Sequence, residues 1–125
     1  VLKKAGVTDI RMHSVPRSFE RPLASQWLLR HAGCDAVIAI GSVIRGETAH
    51  FDFVCQSTAQ GTLRVGLDND RPVAFCVLTD DNIDQSRARA GGQHGNKGVE
   101  AAVAALQMAL LRTKLASGAN WGTGL

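Results

Sequence analysis

Two apolar runs, Ala36–Ile40 and Val73–Leu78, constrain this chain more than any other feature. Neither alternates with polar residues, so each reads as a strand covered on both faces. Between them Phe51, Val54, Cys55 and Thr58, with Leu63 as a further member, recur at helical spacing and predict a helix over Phe51–Leu67. Gly61 weakens that helix by up to about 1 kcal/mol against alanine. Asp68–Pro72 then supplies turn chemistry. A strand, a helix and a strand in this order predict a right-handed crossover with parallel strands, hence an α/β fold. Ligands of such sheets bind where strands end at their carboxyl side.

That rule directs attention to Gly41–Val54, the segment leaving the first strand (Asp35–Gly41). It carries Gly41, Arg45, Gly46, Thr48 and His50 within ten residues. Glycine admits close backbone approach, and successive N–H groups before a helix cradle an anion. An imidazole is the side chain best suited to moving protons near neutral pH. The spacing therefore predicts an anion-binding loop with a proton-transfer group beside it. A lone histidine in a first helical turn is more often an inert, hydrogen-bonded residue, and His50 needs further support.

The remaining chain supplies the frame. Val1–Gly6 reads as a last helical turn capped by Gly6. Asp9–Val15 reads as a short strand ended by Pro16, and Arg17–Glu20 as the loop at its carboxyl end. Pro22 fits a first helical turn, and Leu23, Trp27, Leu28 and His31 continue that helix toward Gly33. After the second strand, Val73–Thr79, the side chains of Asp80, Asp81 and Asn82 suit a helix start before Ile83–Ala90. Gly91 and Gly92 stop that helix, and Gly95-Asn96 leads into the longest one, Lys97–Ala116. Every residue from Ala101 to Leu111 except Gln107 is apolar, so this helix has more than one face to bury. A neighbouring subunit would cover the second face, although a wide intramolecular contact would also serve.

Composition mainly excludes. A chain of 125 residues allows one modest core, and 45% hydrophobic with 20% charged residues is ordinary for a soluble domain. A net charge of +3 with scattered arginines argues against nucleic acid, and no apolar span suits a membrane. No signal-peptide core follows Val1, and the lack of an initiator Met points to an amino terminus that is not the natural one. Cys34, Cys55 and Cys76 are far apart and lack metal-ligand spacing, so they read as inert thiols of a reducing, cytoplasmic protein. Residues 1–116 read as one domain, and glycine-rich 117–125 as a disordered or unrelated tail.

Five motifs add a family resemblance. Val15–Glu20, Val43–Asp52, Phe75–Thr79, Arg87–Gly91 and Gly95–Gly98, in this order and at compatible spacings, resemble the successive signatures of lumazine synthase. The likeness runs from about residue 1 to 116 and implies a flavodoxin-like three-layer α/β/α sandwich with a mainly parallel sheet. It also implies that a strand and most of a helix preceding Val1 are missing. Asp9–Val15 would then lose its sheet partner, and an aromatic residue that stacks on the pyrimidine would be lost. The implied activity is that of a transferase in riboflavin biosynthesis, 6,7-dimethyl-8-ribityllumazine synthase. It condenses 5-amino-6-(D-ribitylamino)uracil with 3,4-dihydroxy-2-butanone 4-phosphate, without metal or organic cofactor. The implied assembly is a homopentamer, in some relatives a pentamer-based shell, with riboflavin synthase as a further partner.

Roles follow from the resemblance residue by residue. His50 matches the catalytic proton shuttle. Gly46, Glu47 and Thr48 match the phosphate loop, where backbone N–H groups and the Thr48 hydroxyl would act while the Glu47 carboxylate points away. Arg89 matches the arginine that clamps the phosphate, and Lys97 would add charge nearby or pair structurally. Ser18, Phe19 and Glu20 match the ribityl-binding segment, and Ser42, Val43 and Ile44 the pyrimidine-binding strand end. Phe75 matches a segment contributed by a neighbouring subunit. Without the resemblance, Arg89 would read as a solvated helix charge, and Val43, Ile44 and Phe75 as core. The chain departs from the pattern at Arg17, usually Gly, at Arg21, usually apolar, at Ala49, usually Pro or Thr, and at Cys76, usually Gly. Arg17 would need a backbone conformation that a non-glycine residue tolerates. Two rival readings are a non-catalytic lumazine- or flavin-binding assembly protein and a receiver-like phosphate-binding domain using Asp80-Asp81.

Overall fold

Strand Val37–Ile44 (β1) pairs in parallel with strand Val73–Asp80 (β2), in register from Val37 opposite Val73 to Ile44 opposite Asp80. The 20-residue helix His50–Asn69 (α2) makes the crossover between them. This computed structural model describes residues 1–92 and 95–118. The expected tail at 117–125 thus lies almost wholly outside the described residues.

Ahead of β1, a single 3₁₀ turn at Ser18–Glu20 runs into helix Arg21–Arg30 (α1), with Pro22 in its first turn as its fixed φ favours. Beyond β2 come helix Ile83–Arg89 (α3), a short antiparallel pair of Ala90–Gly92 (β3) with Gly95–Asn96 (β4), and helix Lys97–Ala116 (α4). Side-chain alternation along the strands separates two faces. Val37 and Val73 meet Leu29 of α1 and Val65 of α2 in the main apolar cluster. Ser42 and Asp80, of the other parity, bond to Ser86 and Arg89 of α3. Helices therefore cover both sides of a parallel sheet.

Two features differ from the sequence expectation. Residues 7–15 carry no secondary structure, so the predicted strand Asp9–Val15 is not formed. A parallel strand needs a partner for its backbone groups, and among the described residues β1 and β2 pair only with each other. Met12 is accordingly 90% exposed. β1 also extends through Ile44, which places Gly41 inside a strand rather than in the loop. Its missing side chain is used: a Cβ there would lie 2.7 Å from Cζ of Arg21, whose Nε donates to the Ile40 carbonyl. Arg21, a departure from the family pattern, thereby satisfies a carbonyl of β1.

The crossover helix keeps the expected Phe51 and Thr58 inward and adds Thr62 and Val65, while Leu63 is 65% exposed, against expectation. Gly61 is not a mere weakness either. A Cβ at this position would come within 2.9 Å of Cγ and 3.0 Å of Cβ of Pro22, on a ring that cannot swing aside. Gly61→Ala is therefore expected to lower stability by about 1–3 kcal/mol through overpacking, despite the better helix propensity. A urea midpoint that rises instead would show that α1 and α2 re-space freely.

Helix α4, as long as α2 at 20 residues, buries only small side chains, Ala101, Ala102 and Ala105. Its Val103, Met108, Leu110 and Leu115 are 40–60% exposed. A helix so apolar on its outer side has surface left to cover. No helix among the described residues is long and apolar enough to cross a membrane.

Candidate active site

The carboxyl ends of β1 and β2 lie side by side because Ile44 stands opposite Asp80. The Arg45 amide continues the ladder by donating to the Asp80 carbonyl at 2.8 Å. Residues 46–49 then form an exposed loop, and α2 starts at His50. Its N-cap position, Ala49, offers no side-chain cap, and the Ala49 carbonyl accepts from the Asp52 and Phe53 amides of this 20-residue helix. Such an end attracts anions through its partial positive charge. The Thr48 hydroxyl accepts from the His50 amide at 3.3 Å, which draws Thr48 and His50 to the same helix end.

Arg45 braces the loop. Its Nε donates to Asp81 at 2.7 Å, Asp52 lies 3.8 Å from Nη1, and the guanidinium sits 4.6 Å from the centre of the Phe51 ring. The hydrogen bond to Asp81, followed by the Asp52 charge, raises Arg45 above its ordinary value, so it stays charged. Sequence reading counted Arg45 among the residues of the anion-binding loop but gave it no bracing role. The available signal was an arginine with an aromatic six residues and an acid seven residues ahead, in the first turn of a helix.

On the β2 side, Arg89 at the end of α3 pairs with Asp80, whose side chain is 5% exposed against 38% for Arg89. Arg87, by contrast, keeps only a loose contact with Asp84 and is the solvated helix charge. Phe75, Cys76, Asp80, Arg89, Lys97 and Glu100 line a cleft of about 580 Å³ between β2 and the start of α4. Lys97 pairs with Glu100 at 3.0 Å, so the structural pairing holds for this lysine. Asn82, of the three capping candidates, caps α3 by accepting from the Gln85 amide at 2.9 Å. Asn96 likewise caps α4, accepting from Gly98 and Val99. Ser42 and Ser86 are joined at 2.5 Å, tying β1 to α3. Buried Ser86 was not foreseen.

The predicted site residues thus fall into four groups. Gly46, Glu47, Thr48 and His50 share the open loop. Arg89, Lys97 and Phe75 share the cleft beyond β2, and Asp80 and Asp81 join the two groups through Arg89 and Arg45. Ser18, Phe19 and Glu20 form the turn that leads into α1 and also touches α2 and β1. Arg21 links them to the strand by donating to Ser18 at 2.9 Å and to the Ile40 carbonyl. Phe19 is 63% exposed there, and Glu20 Oε2 is buried without a hydrogen-bond partner. Arg17 adopts φ −146°, ψ 173°, extended backbone that any residue accepts, so its replacement of glycine imposes no strain. Ser42, Val43 and Ile44 form the last residues of β1.

The cysteines take no part in ion pairs or disulfides among the described residues. Burial, then the charge of Glu100, pushes the Cys76 thiol up. Burial, then Asp52, does the same for Cys55. Both favour the protonated, poorly nucleophilic form.

Comparison with known proteins gives a consistent result. The profile of the 6,7-dimethyl-8-ribityllumazine synthase family matches residues 1–113. A protein of that name from Christiangramia forsetii is 63% identical over 78 residues, 62% of this chain and 46% of its own length. One from Flavobacterium johnsoniae is 54% identical over 99 residues, 79% of this chain and 52% of the relative. One from Cytophaga hutchinsonii is 51% identical over 110 residues, covering 86% and 69%. The chain spans about half the length of the first two.

Proposed function

The chain belongs to the 6,7-dimethyl-8-ribityllumazine synthase family, and from that premise we propose that it acts as such a synthase, a transferase of riboflavin biosynthesis. The observation that carries the reading is the common carboxyl edge of β1 and β2. It presents the start of α2, whose N-cap Ala49 has no capping side chain, with His50 and, joined through Asp80, the guanidinium of Arg89.

The chemistry suits that edge. The amine of 5-amino-6-(D-ribitylamino)uracil adds to the ketone of 3,4-dihydroxy-2-butanone 4-phosphate, and water leaves to form an imine. Phosphate then departs, and ring closure with loss of a second water yields the lumazine. The departing phosphate is met by first-turn N–H groups of α2, with Gly46, Glu47 and Thr48 supplying the loop and Arg89 the fork of donors. His50 moves protons between amine, carbonyl and water. Ser18, Phe19 and Glu20 hold the ribityl chain, and the unpartnered Glu20 oxygen supports this because a polyol hydroxyl satisfies it. Ser42, Val43 and Ile44 flank the pyrimidine, and Phe75 serves a site shared with a neighbouring subunit. Much of the acceleration comes from holding two reactants in register.

The exposed apolar side of α4 supports assembly into a homo-oligomer, which we assign as a pentamer or pentamer-based shell. Riboflavin synthase, which consumes the product, is the proposed partner, and the cytoplasm the proposed location. Incubating the purified chain with both substrates should release lumazine and phosphate in equal amounts, followed by lumazine absorbance and a phosphate assay. Phosphate release without lumazine, or neither product, would refute the assignment.

A further inference from the structure

The proposed phosphate clamp carries a feature that neither the loop nor the helix start explains. Asp80, at the last position of β2, is 5% exposed and is bonded through Oδ1 to Arg89 Nη1. Its Oδ2 is buried and has no hydrogen-bond partner. A carboxylate withdrawn from water in this way binds its cation tightly, since losing the partner leaves a buried charge uncompensated. The two ends of the pair are also unequal. Asp80 sits on a strand, held by the main-chain bond from Arg45, whereas Arg89 ends a seven-residue helix and faces the cleft. The strand therefore fixes the helix residue, not the reverse.

We propose that Asp80 is a positioning residue: it anchors the Arg89 guanidinium and so sets the affinity for the phosphoryl group of the substrate. The inference rests on the synthase reading and deepens it. A guanidinium has several N–H donors in a rigid fork. One bond to Asp80 fixes its plane and leaves the rest of the fork for an anion. An arginine on so short a helix, without that anchor, would sample many rotamers, and ordering them would be charged against binding. The Asp80 charge also opposes an incoming phosphate. The anchor outweighs this, because the bond to Arg89 already compensates the Asp80 charge while the remaining Arg89 donors act on the anion at direct contact.

The test measures inorganic phosphate binding by calorimetry, and KM for each substrate, on the whole chain. Asp80→Ala is expected to weaken phosphate binding and raise KM for the phosphorylated ketone by about tenfold, the scale of one charge-assisted hydrogen bond. KM for the pyrimidine should stay unchanged. Asp80→Asn keeps an acceptor of the same shape and should recover about half of that loss on a logarithmic scale. It also decides the matter if the alanine variant fails to fold. A purely structural role would lower Tm and leave the phosphate affinity of folded protein untouched. That result, equal KM increases for both substrates, or tighter phosphate binding in either variant would overturn the proposal. If the unsubstituted chain neither binds phosphate nor forms lumazine, the synthase reading falls and this inference with it. Turnover by the unsubstituted chain with indifferent Asp80 variants removes this inference alone.

Discussion

Replacing His50 by alanine should lower kcat for lumazine formation by at least about 100-fold, the lower range for a general acid–base group, with KM for each substrate nearly constant. His50 is exposed at the first residue of α2 and forms no part of the core. Its loss should therefore leave the fold and the loop intact, and the effect should appear in the chemical steps alone. Steady-state kinetics with each substrate varied in turn check this. A variant within a few-fold of the original kcat would remove His50 from the mechanism. Equal increases in both KM values would make it a binding residue.

Arg89→Ala should act on the other coordinate. Removing a preorganised cation aimed at a departing phosphate costs on the order of 30–100-fold, expected mainly in KM for the phosphorylated ketone. The pyrimidine should bind as before. The same substitution strips Asp80 of its partner. Arg89 is 38% exposed, so the stability loss should fall at or below the low end of the about 3–5 kcal/mol typical of breaking a buried pair. Arg89→Lys separates these contributions, since lysine restores a charge for Asp80 without the planar fork. It should recover stability more fully than phosphate affinity. Equal loss toward both substrates in Arg89→Ala would refute the assigned role.

The sequence made the β–α–β unit readable because its apolar runs and helical spacing are strong, local signals. α4 was readable for the same reason, and its bounds agree with the expected Lys97–Ala116. Strand Asp9–Val15 failed because strand formation is not local: a run with the right alternation still needs a neighbour to pair with. β1 ran on to Ile44 past Gly41, because a glycine signals conformational freedom without saying whether it is used for a turn or, as here, for room beside Arg21. The β3–β4 hairpin was missed among glycines that read only as helix breakers.

The candidate site shows the same division. His50, Thr48 and Gly46 stood out through their spacing and the family motif. Arg89 stood out through the motif alone, since charge on a helix surface is common. Its distinction from Arg87 depends on Asp80, nine residues earlier, which no periodicity connects to it. Asp80 and Asp81 read as equivalent capping acids, yet strand parity turns Asp80 inward and leaves Asp81 to Arg45. Contacts of this kind arise from packing and have no one-dimensional signature.

Helix α3, at seven residues, is fewer than two full turns long, a length that an isolated peptide would not hold in water. Its persistence depends on its tethers: Asn82 at its head, Ser86 against Ser42 at its middle, and Arg89 against Asp80 at its foot. It works as a latch whose closure reports on the strand ends beneath it. Whatever disturbs Ser42, on the neighbouring strand and the same face as Asp80, will be felt as slack in the grip on the anion.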